Sequence, residues 1–561
     1  MRKFAYLLIA ILFSTGCTQN SSNQPATVYS RGLVVCAYPD AARIGLDILK
    51  KGGNAVDAAV AVQFALAVCY PEAGNIGGGG FMVYRGEDGR TAALDFREKA
   101  PAGAKASMFL DANGRVIENK SLNTASASGV PGSVDGMFTA HARFGKMPWA
   151  ILIQPAIDLA EKGFRLSKNL AADINTIHDE LKKLNPYKSY FLKRTPWQEG
   201  DTLLQPDLAV TLKLIRDKGR DGFYSGLVAE EISHEMQYDQ GLITREDLAS
   251  YHSIWREPVN GTYKGYTIIS MPPPSSGGIA LIQLLHSVEK YPLSRWGFHA
   301  DSTVQLMVEA ERRVYADRSK WLGDPDFFKV PEDSLLNPDY SDKRMATMNW
   351  DSATPSSSIQ PGSFSLYESH KTTHFSIVDS AGNAVSVTTT INDNFGSKIV
   401  VNGAGFLLNN EMDDFSIKPG VPNMFGLIGG KANSIEPNKR MLSSMTPTIV
   451  EKDGRLFMVI GTPGGGTIIT SVFQTLLNVL DFKEDIQTAV GAGRFHFQWL
   501  PDSVDVESGA LDTALIVRLS KKGYRFYTDY PSIGAVDAIL KTDKGYEGGA
   551  DPRGDDTKAG W

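Results

Sequence analysis

Cysteine is scarce: the chain has three in 561 residues, and only Cys36 and Cys69 lie beyond position 17. A dense disulfide framework is therefore excluded, and a packed core must hold the fold. Sequence alone leaves open whether Cys36 and Cys69 pair. The nine histidines show no HExxH or other metal-ligand spacing, and neither a P-loop nor a dinucleotide fingerprint is present. No metal and no cofactor is expected. A long Lys/Arg run is also missing, and the formal net charge is -6. This removes the electrostatic footprint of a nucleic-acid partner.

What is present is the composition of a soluble, packed protein, with 42% hydrophobic and 21% charged residues. The length suffices for one large core or two ordinary ones. Glycine is abundant, at 54 residues, and gathers in runs such as Gly77 to Gly80 and Gly464 to Gly466. Such runs predict tight turns and close backbone approaches.

The first sixteen residues read as a signal peptide: Arg2 and Lys3, an apolar stretch from Phe4 to Phe13, then small residues up to Gly16. The apolar stretch is too short to span a bilayer as a mature helix. Cys17 follows in the manner of a bacterial lipoprotein signal, although the bulky aliphatic residue usual three places earlier is missing. Cys17 is thus a candidate lipid anchor, with plain export as the alternative; either way the protein leaves the cytoplasm, for the periplasm or its membrane. Residues 17–28 would form a flexible tether.

Beyond the tether, a short strand precedes the helix-like GGNAVDAAVAVQFALAV, then a glycine-rich turn and an apolar strand from Phe81. A helix is expected near Pro148, with Trp149, Leu152, Ala156 and Leu159 on one face. The middle third reads as mainly helical, and MPPPSSGG as a rigid turn opening into a helix at Ile279. From Asp351 to Ser365 the composition turns to Ser, Thr and Pro, which predicts an exposed, poorly ordered loop.

Immediately afterwards the pattern becomes strongly β. HFSIVD, the turn Ser380-Ala381-Gly382 and NAVSVTTT form a hairpin whose last loop residue is glycine, as a favoured three-residue connection requires. If Asp379 faces Asn383, position 372 lies opposite position 390. Cross-strand Cβ atoms are about 4.5 to 5.5 Å apart, so the hydroxyls of Thr372 and Thr390 would be neighbours. From strand propensity alone these are simply good strand residues. A threonine hydroxyl needs an adjacent base to act as a nucleophile. Were the bond before Thr372 cut, its own α-amine, with a reference pKa of about 7.7 to 8.0, would supply one.

TTHFSIVDSAGNAVSVTTTINDNFG, GFLLNNEMDDFSIKPGVPN, NKRMLSSMTPTIV and GTPGGG closely resemble the γ-glutamyltransferase family of N-terminal nucleophile hydrolases. LDFREKAP, GNIGGGGFM, GVPGSVDGM, MPPPSSGG and DPRGDDTKAG extend the resemblance along the mature chain. It implies an α+β fold, a four-layer αββα sandwich. A precursor would be cut between Lys371 and Thr372 into a large subunit, 29–371, and a small catalytic subunit, 372–561, intertwined as one body.

The resemblance also carries roles to individual positions. Thr372 matches the nucleophile and Thr390 the threonine whose hydroxyl supports it. Gly464 and Gly465 match the pair whose backbone N–H groups stabilise the oxyanion. Arg97, aided by Ser443 and Ser444, matches the carboxylate-binding positions, and Asn392, Glu411 and Asp414 the acceptors for an ammonium. Opposite charges are expected on two sides of the bound group. Taken singly, Arg97 beside Glu98 reads as a surface ion pair. The implied donors are glutathione and other γ-glutamyl compounds; the implied acceptors are water, amino acids and peptides. Two departures stand out. Lys371 occupies a position where relatives carry residues such as glutamine, and Phe425 one where several bacterial members carry a gating tyrosine. The alternatives are an amidase of the same fold acting on another acyl group, such as a cephalosporin or glutaryl acylase, and a non-catalytic surface lipoprotein that binds amino acids or peptides.

Overall fold

Two seven-stranded antiparallel sheets stack face to face, with helices on both outer faces. The structure, a computed structural model, describes residues 27–187, 189–360, 372–418 and 431–561. Cys17, Lys371 and Phe425 lie outside these residues.

The first sheet runs Thr557–Gly560, Leu33–Cys36, Thr373–Val378, Ala384–Thr390, Gly79–Arg85, Thr91–Phe96, Ile254–Arg256. The second runs Val28–Tyr29, Gly545–Gly549, Asp537–Thr542, Arg455–Gly461, Thr448–Lys452, Tyr266–Ser270, Val259–Tyr263. Both sheets mix strands from before and after position 372. The Thr373–Val378 strand sits between Leu33–Cys36 and Ala384–Thr390, at the centre of its sheet.

The layering follows from strands that are apolar on both faces, since successive side chains point to opposite sides. Leu33, Val35, Phe81 and Val83 pack between the sheets against Ile269, Ile449, Val459 and Ile539. Their neighbours Val34, Cys36, Met82 and Tyr84 pack outward with the helices. One of these is the expected helix, Ala55–Cys69, buried at every position. An element apolar all round belongs inside. A reciprocal capping box starts it, in which Asn54 accepts the Asp57 N–H and the Asp57 carboxylate accepts that of Asn54; such a cap contributes about 1 kcal/mol. On the far side, Gly277–Val288 and Thr467–Leu480 cover the second sheet.

Several expectations need correction. The helix after Pro148, Trp149–Lys162, buries Leu152 and Ala156 as expected, but Ile153, Ile157 and Ala160 complete its face while Leu159 is only half-buried. The middle third is indeed largely helical, yet it contributes Ile254–Arg256 to one sheet and Val259–Tyr263 with Tyr266–Ser270 to the other. Val28, expected in the 17–28 tether, instead pairs with Glu547 in a strand, and residues 17–26 lie outside the described residues. The described part of the Ser/Thr/Pro stretch is anchored rather than loose: Ser356 is buried, its N–H donates to Asp502 Oδ2 at 2.8 Å, and its hydroxyl accepts from Arg312. Cys36 and Cys69 are buried free thiols, so no disulfide joins them.

Candidate active site

The hairpin has the expected register. Asp379 N–H donates to Asn383 O at 3.0 Å, and pairing runs from Val378↔Ala384 to Thr373↔Thr389, which carries Thr372 opposite Thr390. Asp379 Oδ1 accepts the N–H groups of Ala381, Gly382 and Asn383 at 2.9, 3.0 and 3.0 Å. Gly382 has φ +92°, the left-handed conformation glycine adopts without steric cost. The other carboxylate oxygen accepts the Ala55 N–H at 3.0 Å, so the turn is tied to the buried helix beneath it.

Two residues along, His374 is fully buried between the sheets, bonded to Thr388 Oγ1 at 2.9 Å and Ser376 Oγ at 3.0 Å. Burial pushes its pKa down to about 3, so it is a neutral structural group and not a proton acceptor for Thr372.

The Thr372 hydroxyl accepts a hydrogen bond from Gly464 N–H at 3.2 Å. Gly464 and Gly465 link the Arg455–Gly461 strand to the Thr467–Leu480 helix, with φ of +133° and +56°. A Cβ on Gly464 would lie 2.5 Å from Thr467 Oγ1. Only glycine lets the chain turn here with an N–H aimed at the threonine. The helix that follows presents its partially positive end to the same place.

The candidate residues converge. Apart from Gly464, all ten positions to which the resemblance gives catalytic or substrate-binding roles line one cavity of about 200 Å³: Thr372, Thr390, Gly465, Arg97, Asn392, Glu411, Asp414, Ser443 and Ser444. Thr372 and Gly464 also border a second, open cleft of about 1450 Å³, walled in part by Tyr70, Glu72, Asn394, Tyr530 and Arg553. The threonine therefore stands between a small pocket and a large cleft.

Charge in the small pocket differs from the expected two-sided arrangement. Arg97 is buried, and its Nη1 and Nη2 bond directly to Glu411 and Asp414, with Glu98 Oε2 at 3.4 Å and the carbonyls of Met441 and Leu442 at 3.3 and 3.2 Å. Opposite charges touch because a charge removed from water must be paired. Three carboxylates nevertheless face one guanidinium. Burial, and then Glu98, raise the Glu411 pKa well above the ordinary carboxylate range, and burial lifts Glu98 to about 7. Among the described residues, Glu411 Oε2 and Glu98 Oε1 have no hydrogen-bond partner. A cluster so short of positive charge suits an incoming ammonium.

The serine wall is held from behind. Ser276, in the MPPPSSGG turn, sends its N–H and hydroxyl to Ser443 O at 2.6 and 2.7 Å, and Ser275 Oγ donates to Met445 O at 2.6 Å. Asn392, with φ +74°, is fixed by its Nδ2 on Asn410 O at 3.0 Å and its N–H on Thr390 Oγ1 at 2.7 Å.

Three residues that sequence reasoning did not single out help build the site. Glu98, read as half of a surface pair, is fully buried. Asn75 ties Thr390 O to the glycine run, through 2.9 Å bonds from its Nδ2 to that carbonyl and from Gly78 N–H to its Oδ1. Asn409 accepts from Gly129 and Glu411 N–H at 2.8 and 3.0 Å and donates to Gly77 O and Gly129 O at 2.8 Å. For Asn75 the available signal was an asparagine beside a glycine run, where backbone groups need side-chain partners.

Comparisons with known proteins agree with this geometry. The family described as gamma-glutamyltranspeptidase matches residues 41–561. A glutathione hydrolase proenzyme of Escherichia coli (strain K12) is 47% identical over 571 residues, covering 99% of this chain and 98% of the relative. Among solved structures, cephalosporin acylase from Bacillus halodurans aligns with a TM-score of 0.85 at 25% identity, over 98% of this chain and 99% of the other. Gamma-glutamyltranspeptidase from Helicobacter pylori aligns with a TM-score of 0.58 at 46% identity, over 61% of this chain and 97% of that one.

Proposed function

The chain belongs to the γ-glutamyltranspeptidase family, and from that premise we propose that Thr372 is the nucleophile of a γ-glutamyl transfer carried out between the two cavities. The protein is an autoprocessed γ-glutamyltransferase and glutathione hydrolase with the αββα fold of N-terminal nucleophile hydrolases.

In this reading, cleavage between Lys371 and Thr372 frees an α-amine beside the Thr372 hydroxyl. That amine takes the hydroxyl proton as Oγ1 bonds to the γ-carbonyl carbon of the donor. The negative charge developing on the carbonyl oxygen is met by the N–H groups of Gly464 and Gly465, and one such donor lowers a barrier by about 2.7 to 4 kcal/mol. Collapse passes the proton to the leaving amine, which departs through the open cleft and leaves a γ-glutamyl ester on Thr372. Water or an acceptor amine then enters by the same cleft and bonds to the ester carbonyl carbon; its proton passes through the α-amine to Thr372 Oγ1 as the ester bond breaks, releasing glutamate or the new γ-glutamyl amide. The substrate ammonium sits among Asn392, Glu411 and Asp414. Its α-carboxylate meets Arg97, Ser443 and Ser444, with Arg97 at the junction of both groups. Thr390, opposite the nucleophile, supports its hydroxyl.

The observation that carries this reading is the small pocket itself, where Thr372 lines the same cavity as an acid-rich cluster around Arg97 and two serines. The likeness to cephalosporin acylase raises a second reading, an acylase acting on groups such as glutaryl. A glutaryl group has no ammonium, so it would leave the carboxylates around Arg97 without their missing cation. Turnover of γ-glutamyl and glutaryl p-nitroanilides decides between them: the γ-glutamyl compound is expected to react far faster, and faster glutaryl turnover would replace the assignment.

Export by the N-terminal segment, with Cys17 as a lipid anchor in the periplasm, belongs to the same proposal. No helix of the described residues is long and apolar enough to cross a membrane. Membrane association that disappears in Cys17→Ser would support anchoring, and unchanged fractionation would remove it.

A further inference from the structure

Behind the serine wall lies a buried cation with no part in the chemistry so far. Arg318 belongs to the Asp301–Trp321 helix and is 1% exposed. Its Nη2 donates to Ser444 Oγ at 3.1 Å and its Nε to Ser276 Oγ at 2.9 Å. Ser276 passes its own proton on to Ser443 O at 2.7 Å. One guanidinium therefore holds the Ser443-Ser444 pair at both ends, by the hydroxyl of the second and, through Ser276, by the carbonyl of the first.

The direction of these bonds matters. Arginine carries five N–H donors and no acceptor, whereas a serine hydroxyl has one proton and two lone pairs. Ser444 Oγ must accept from Arg318, so its own proton has to point elsewhere. Ser443 Oγ likewise accepts from Met445 N–H at 3.2 Å. Among the described residues neither hydroxyl donates to anything. Both line the small cavity, so their protons are left for its contents. A wall polarised this way offers two O–H donors, which a carboxylate can take with both oxygens, whereas a carboxamide has a single acceptor oxygen for the pair.

We propose that Arg318 is a positioning residue that turns Ser443 and Ser444 into donors and thereby makes the site select an α-carboxylate over an α-carboxamide. This rests on the reading of the small cavity as the γ-glutamyl pocket. Arg318 acts through Ser444 and Ser276, as a fixed cation in a water-poor setting where charge-assisted hydrogen bonds are strong. Lysine keeps the charge but has no planar fork to reach both serines at once.

The test compares the p-nitroanilide of γ-linked glutamate with that of its α-carboxamide analogue, for wild type, Arg318→Gln, Arg318→Lys and Ser444→Ala. Hydrogen bonds to a charged group set the scale at about tenfold or more. Arg318→Gln is expected to raise KM for the carboxylate donor about tenfold with kcat changed little, to lower the carboxylate-to-carboxamide ratio of kcat/KM by a similar factor, and to be partly rescued by Arg318→Lys. Ser444→Ala, which keeps the buried cation, is expected to lower the same ratio and decides the matter if the arginine variants do not fold. A ratio unchanged in Ser444→Ala, or in folded Arg318→Gln, overturns the proposal. Absence of γ-glutamyl turnover in the matured wild type would instead overturn the underlying reading.

Discussion

Gly464→Ala tests the geometry at the nucleophile with the least chemical change. The residue has φ +133°, which an L side chain rarely adopts, and the new methyl group would sit 2.5 Å from Thr467 Oγ1 and 3.2 Å from Gly534 Cα. The chain must rotate to relieve both strains, and the N–H now 3.2 Å from Thr372 Oγ1 turns with it. Losing one oxyanion donor removes about 2.7 to 4 kcal/mol from the transition state, or roughly 10²- to 10³-fold in kcat. The assay is steady-state hydrolysis of γ-glutamyl p-nitroanilide, with KM expected to hold because the acid cluster and serine wall are untouched. Gly454→Ala is the control. That glycine has φ +71° in the hairpin turn between Thr448–Lys452 and Arg455–Gly461, with nothing within 4 Å of its Cβ. It carries a backbone strain of about 1 to 2 kcal/mol without touching the site. A Gly464→Ala enzyme within threefold of the wild-type kcat, or one no more impaired than Gly454→Ala, would refute the oxyanion assignment.

Three other predictions follow from the same contacts. Arg97→Lys keeps the charge but cannot span Glu411 and Asp414, and charged hydrogen bonds contribute about 1.5 to 3 kcal/mol each; kcat/KM should fall at least about tenfold, and wild-type kinetics would contradict the pairing. Burial, and then the charge of Asp551, raise the Asp556 pKa to about 8 from an unfolded value near 4. Its stabilising contribution is therefore complete below pH 4 and is lost as pH rises through about 8. Wild type should lose more Tm between pH 5 and 9 than Asp556→Asn, and parallel profiles would contradict this. The Cys36 and Cys69 thiols are buried, and burial pushes their pKa values far up, so in a Cys17→Ser protein a thiol reagent should react with two groups in denaturant but only slowly in the folded state.

What the sequence made legible is what local rules control. The Thr372–Thr390 juxtaposition follows from strand alternation and one three-residue turn, and the Ala55–Cys69 helix from its composition and cap. The strands of the middle third escaped because they are short and the hairpin among them has a remote partner on one edge: Tyr266–Ser270 pairs locally with Val259–Tyr263, but its other edge lies against Thr448–Lys452. Distance also hid the pairing of Arg97 with Glu411 and Asp414, which lie 314 and 317 positions away. The resemblance supplied the charges of the pocket. It could not tell that burial would bring them into direct contact, or that Glu98 would join them. Ser356 was misread for the same reason: a polar stretch reads as solvated until Asp502 and Arg312 arrive from elsewhere in the fold.

The most direct test of the central claim is the mass of the purified chain under denaturing conditions, wild type beside Thr372→Ala, with N-terminal sequencing of any fragments. Two wild-type fragments, the smaller beginning at Thr372, together with an uncut Thr372→Ala chain, are the expected result. A wild-type chain that stays intact under maturing conditions, or is cut at another bond, would contradict the assignment of Thr372 as the nucleophile.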